Sequence, residues 1–142
     1  MTTFLAVATL LLFSPVGAWP VSTPAQLKAM QAGEEAYRAR RFEEAFKHFH
    51  KLATQGLPRA QTVLGMMYAY GEGLAQSPEK ALRWYRSAAR QGYSPAQYSL
   101  GIAHLEGTLS LTPNKREALV WLKRAAMSGH GIAKRQLRAL DG

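Results

Sequence analysis

Residues 60–71 read A-Q-T-V-L-G-M-M-Y-A-Y-G, and residues 96–107 read A-Q-Y-S-L-G-I-A-H-L-E-G. A second segment behaves the same way: E-K-A-L-R-W-Y-R-S-A-A-R-Q-G at 79–92 answers to R-E-A-L-V-W-L-K-R-A-A-M-S-G at 116–129. Ala60 returns as Ala96 and Ala133, Trp84 as Trp121 and Gly92 as Gly129, at intervals of 36 and 37 residues. A period of that size marks an array of helical hairpins, each too small to bury its own apolar face and therefore stacked on its neighbours. The fold expected is all-α, a solenoid of about three antiparallel helix pairs plus a C-terminal capping helix.

The middle unit shows why. Pro58 suits the first position of a helix, where a missing N–H costs nothing. Ala60, Leu64, Gly65 and Tyr68 then fall on one helical face, with Gly65 allowing a facing helix to come close. Gly71-Glu72-Gly73 ends the helix with backbone able to take positive φ. Ser77-Pro78 opens the second helix, whose buried face is expected to be Ala81, Trp84, Tyr85, Ala88 and Ala89. The next copy keeps Leu100, Gly101, Ala118, Trp121, Ala125 and Ala126, places His104 where Tyr68 stood, and has a loop one residue longer without the second glycine. There Asn114 and Glu117 have the spacing of a capping box.

Upstream, Thr23-Pro24 reads as a helix start. Leu27, Met30, Gly33, Ala36 and Tyr37 keep a three–four spacing, Arg40-Arg41 is the turn, and Phe42, Ala45, Phe46, Phe49, Leu52 and Ala53 continue the pattern on a second helix that Gly56 stops. Ile132 to Leu140 forms one short basic helix with Ala133, Leu137 and Leu140 inward. The expected domain layout is a hairpin at 25–56, repeats at 57–92 and 93–129, and a cap at 130–142.

These motifs carry a resemblance. Ala60-Leu64-Gly65-Tyr68-Gly71-Gly73 with Ala81-Trp84-Tyr85-Ala88-Ala89-Gly92 is similar to the SEL-one-like repeat, a relative of the tetratricopeptide repeat, and the match recurs from Ala96 to Gly129. The first hairpin, with Gly33, Phe42, Ala45 and Phe49, resembles a plain tetratricopeptide unit. The resemblance implies a right-handed superhelix that holds protein partners without catalysis, in chains that are typically bacterial when short and exported. In such repeats the first helix of each pair lines the concave surface. That places Met30, Tyr37 and Arg38 there in the first unit, then Arg59, Met66 and Tyr70, then Tyr98, Ile102 and Glu106, with Arg135 on the cap helix. Tyrosine and arginine are common interface anchors, and methionine adapts to varied partners.

Residues 1–18 contain no charged side chain, and Phe4 to Phe13 is too short an apolar run to span a bilayer. Ser14-Pro15 breaks it, and Val16 and Ala18 are small residues where a signal peptidase reads. A signal peptide over 1–18 is expected, although no lysine or arginine precedes the run. Residues 19–24 then form a linker, and the mature chain is periplasmic or secreted. The absence of cysteine removes disulfides, thiolate metal sites and a cysteine-linked lipid anchor.

Eighteen Lys and Arg against nine Asp and Glu give a net charge of +9. That favours an acidic protein or peptide, or an anionic envelope surface, and by itself does not point to nucleic acid. No catalytic set emerges. His48 and His50 lie on different sides of a helix and would need outside ligands to hold a metal. His104 has no nucleophile or carboxylate at triad-like spacing. Glu43 and Glu44 diverge as sequence neighbours, and Gly71-x-Gly73 follows a helix, not a strand. Neither a metal nor a cofactor is implied. The function expected is an exported, non-catalytic scaffold that docks a partner in its concave groove. The alternative is a binder of envelope polyanions or membrane surfaces through a basic convex face that includes Arg83, Arg86, Arg90, Lys123 and Arg124.

Overall fold

The computed structural model describes residues 22–141, so the leader expected at 1–18 lies outside the described residues. Seven helices follow one another: α1 Pro24–Arg38, α2 Phe42–Thr54, α3 Pro58–Tyr70, α4 Pro78–Arg90, α5 Ser94–Glu106, α6 Lys115–Met127 and α7 Gly131–Asp141. No strand occurs among the described residues. The main packing joins each helix to the next in sequence, most closely within α1/α2, α3/α4 and α5/α6. This is the expected all-α solenoid.

Helix starts are set by the residues that announced them. Thr23 accepts from the Gln26 N–H while the Gln26 side chain returns to the Thr23 N–H, a complete capping box. Ser77 accepts from the Lys80 N–H, and Asn114 from the Glu117 N–H. α3 and α5 end on Gly71 and Gly107, both left-handed, at φ 67° and 71°. Where the longer loop lacks its second glycine, Leu109 and Ser110 take the positive φ instead.

The core is three clusters in series. Phe49, Leu52, Leu64 and Met67 anchor the first, the four alanines of α4 and α5 with Tyr85 and Leu100 the second, and Leu122, Ala125 and Ala133 the third. Trp84 packs back on the first cluster and Trp121 on the second, so each indole joins its unit to the one before. Both are only partly buried, although Trp84 was expected on the buried face of its helix. The close approach at the conserved-spacing glycines is made by other residues: Phe49 against Gly33, Tyr85 against Gly65 and Leu122 against Gly101. Leu27, expected to face inward, is 53% exposed, since no described helix precedes α1 to cover its first turn.

A second repeated device joins the units. Gln61 and Gln97 are buried, and each donates across eight residues to the last turn of the preceding helix, Gln61 to the Ala53 carbonyl and Gln97 to the Ala89 carbonyl, both at 3.2 Å. Both carbonyls lie at a helix end and already accept from the N–H of the turn glycine, Gly56 or Gly92, so the glutamine gives each a second donor.

Candidate functional site

The first helix of the middle pair ends at Tyr70, where Gly71 turns the chain away. The ring is therefore left with no following turn to pack on and is 72% exposed. Gln76 folds back beneath it and donates to the Ala69 carbonyl at 2.7 Å. From the next unit, α5 presents Tyr98, Ile102 and Glu106 at three- and four-residue spacing. Together with Tyr85 at the floor, these residues line a hollow of about 490 Å³, closed on one side by Thr108 and Leu109 of the long loop. Burial, reinforced by the neighbouring Tyr70 hydroxyl, pushes the Tyr85 phenol far above its ordinary value, while a hydrogen bond with Ser99 works the other way. Tyr85 thus meets a guest as a neutral hydroxyl. Tyr98 is half-buried, with its ring stacked on His130 at 4.7 Å between centroids.

A second, smaller hollow of about 190 Å³ lies between α1 and α3, lined by Glu34, Tyr37, Arg38, Phe49, Val63 and Met66. Its polar rim is already engaged. The Tyr37 hydroxyl donates to Glu72 Oε2 at 2.5 Å, and burial and this carboxylate raise its pKa to about 12. Arg59 forms an ion pair with Glu34, and Arg38 Nε reaches the Glu34 carbonyl.

The ten residues expected on one continuous groove therefore separate. Tyr70, Tyr98, Ile102 and Glu106 meet in the larger hollow, and Tyr37, Arg38 and Met66 in the smaller. Met30 is a correction: it is 6% exposed and belongs to the first core cluster, because the face of α1 that carries it turns toward α2. Arg59 and Arg135 are exposed but line neither hollow. The local charge of this hollow differs from that of the whole chain. Glu106 is the sole charged side chain lining the larger hollow, so an acidic guest would be repelled there. Ser99, Gln76 and Leu109 were not foreseen as lining residues. Ser99 shares a helical face with Ile102 and Glu106 and could have been found from that spacing, whereas the two loop residues have no periodicity to betray them.

Among the described residues no three His, Cys, Asp or Glu side chains gather as metal ligands. His48 lies against Gly33, and His50 stands on the outer side of α2 between the rings of Phe46 and Trp84. No helix among the described residues is long and apolar enough to cross a membrane.

Comparison with known proteins places this geometry among relatives. A family model described as Sel1 repeat matches residues 40–57, 58–93 and 94–130. The first of these matches takes in only α2 of the first hairpin. An uncharacterised protein of Neisseria meningitidis is 39% identical over 85 residues, covering 60% of this chain and 17% of that protein. The crystal structure of a Sel1 repeat protein from Oxalobacter formigenes superposes with a TM-score of 0.65 at 38% identity, over 68% of this chain and 28% of that one. A protective antigen present in uropathogenic Escherichia coli strains, displaying an SLR fold, superposes with a TM-score of 0.72 at 30% identity, over 79% of this chain and 25% of that one. The chain thus spans less than a third of the length of each of these proteins.

Proposed function

The chain belongs to the Sel1-repeat family, whose members are generally protein-interaction scaffolds and typically non-catalytic, and from that premise we propose that it docks a protein or peptide partner in the hollow beneath Tyr70. The observation that carries this reading is an aromatic side chain 72% exposed at the mouth of a hollow of about 490 Å³ lined by two further tyrosines. Tyrosine offers large contact area with few rotatable bonds, and such residues set in pockets are where interface energy concentrates. The guest best suited is an apolar or aromatic segment, extended or helical, with hydroxyl or amide groups to meet Tyr85, Gln76 and Thr108. Its mechanism is reversible docking with no chemical step.

The test is capture of binding partners by the immobilised chain, with Tyr70→Ala beside it. The ring makes no core contact, so the variant should fold unchanged. Loss of an anchor is expected to cost about 2 kcal/mol, roughly 30-fold in affinity. A partner held equally well by Tyr70→Ala, and released instead by salt or by Arg86→Glu with Arg90→Glu, would replace the hollow with a general anionic contact. Export rests on the leader alone. It is tested by N-terminal sequencing of the mature chain, which should begin at Trp19.

A further inference from the structure

On the other side of α3 lies a feature that the hollow does not use. Tyr68 and Tyr70 are two residues apart, about 200° around the helix, so their rings leave α3 in nearly opposite directions. Tyr68 meets Phe46 edge-on at 6.1 Å, and Phe46 and Trp84 flank His50 at 5.3 and 6.5 Å. Of these rings Tyr68 and Trp84 line a recess to which α4 contributes two cations. Lys80 Nζ sits 5.3 Å from the centre of the Tyr68 ring, and Arg83 follows one turn later. Tyr68, Lys80, Arg83, Trp84 and Ser87 enclose a recess of about 410 Å³ that no carboxylate lines. Neither cation has an ion-pair partner among the described residues. The nearest acid in sequence, Glu79, is drawn off by the Ser110 hydroxyl at 2.9 Å and by Ser77.

The repeat supplies its own control. At the equivalent places of the following unit, Tyr68 becomes His104, Lys80 becomes Glu117, Arg83 becomes Val120 and Ser87 becomes Arg124. One cation is inverted, one is lost, and Arg124 lies over the Trp121 ring at 4.8 Å, whereas in the middle unit Trp84 lines the recess beside the short Ser87. The scaffold needs the tryptophan in both units, since each packs back on the preceding core. It does not need the cations or the short Ser87, which the following unit does without.

We propose that this recess is a second docking site, which takes an acidic segment of a protein partner with an aromatic or large apolar side chain at its centre. The side chain would rest on Trp84 and Tyr68, and flanking carboxylates would meet Lys80 and Arg83. Charge complementarity selects the sign, because two cations without an ion-pair partner, Lys80 over the Tyr68 ring and Arg83 beside it in the lining, gain from a carboxylate and reject a basic guest. The size selects the class: the recess admits one ring and its neighbours, whereas a flat layer of lipid headgroups does not enter it. The +9 net charge accelerates encounter with such a segment but does not choose the site.

The experiment titrates the full chain with a blocked pentapeptide of four glutamates around one phenylalanine, following the tryptophan indole N–H resonances. Saturable movement of the Trp84 resonance, with Trp121 unmoved, is expected. Lys80→Glu with Arg83→Val, which installs the residue types of the sister unit at exposed positions, should weaken binding at least tenfold and leave the melting temperature unchanged. The transplant Glu117→Lys, Val120→Arg and Arg124→Ser should make the Trp121 resonance respond as well. The proposal is overturned if both indoles shift alike. It also fails if inorganic phosphate or phosphatidylglycerol vesicles at matched charge move Trp84 as the peptide does, or if only Arg86→Glu and Arg90→Glu reduce binding.

Discussion

At the residue scale, the glycines on the inner helices show how one side chain sets the distance between two elements. A Cβ on Gly101 would lie 2.7 Å from two carbons of Leu122 and 3.3 Å from its backbone nitrogen, while at Gly92 it would meet nothing within 4 Å. Gly101→Ala is therefore expected to overpack α5 against α6 and cost about 1–3 kcal/mol in urea unfolding. Gly92→Ala should show only the cost of its left-handed backbone, about 1–2 kcal/mol. These glycines were readable because they recur at the repeat interval. The glutamines were equally visible in the repeated Ala-Gln pair, yet a polar residue on a helix gives no sign of being buried until the neighbouring helix end is in place. Gln61 receives a bond from Gln91 Nε2 at 2.8 Å, but at the matching position of the next unit Ser128 is too short, and Gln97 Oε1 is buried with no partner among the described residues. Ser128→Gln should restore that bond and raise stability by about 0.5–1.5 kcal/mol, measured by thermal or denaturant unfolding.

At the element scale, the terminal helix α7 depends on a histidine cap. His130 Nδ1 accepts from the Ala133 N–H at 3.2 Å, an arrangement that requires the ring to be neutral on that nitrogen. Burial holds the His130 pKa below its ordinary value of 6.5. The folded chain thus binds this proton less readily than the unfolded chain, so the stabilisation is complete above about pH 6.5 and is lost as pH falls through the folded value. Tyr98 stacks on the ring and adds no charge, while Lys134, Arg135 and Arg138 on α7 would only repel an imidazolium. Protection factors for amide exchange in α7 are expected to fall ahead of those in the other helices as pH drops below 6.5, and His130→Asn, which caps without titrating, should abolish the difference. Sequence showed the cap helix through Ala133, Leu137 and Leu140, but not its pH dependence, because a histidine before a helix is equally compatible with solvent. The helix starts at Thr23, Ser77 and Asn114 were legible for the opposite reason: their chemistry is local and needs no tertiary partner.

At the scale of the whole molecule, the period decided the architecture, since helical pairs with one apolar face each can be completed only by stacking. It could not locate the site. The expectation of one long groove assumed that every outward position on α1, α3 and α5 stays free. Glu34 and Glu72 instead tie down Arg59 and Tyr37, and Met30 turns into the core. Arg138 falls at the place held by Gly65 and Gly101, so α7 does not keep the close-approach glycine of the repeat. On the middle pair, an apolar hollow lies on one side of α3 and a cationic aromatic recess on the other. The net positive charge, read over the whole sequence, concealed that the two sides differ. Hydrogen exchange of the chain, free and saturated with a captured partner, tests the central claim most directly. Slowed exchange over residues 69–76 and 98–109 is predicted, with α1 unchanged; a partner that binds and leaves both of those stretches exchanging at their free rates would contradict it.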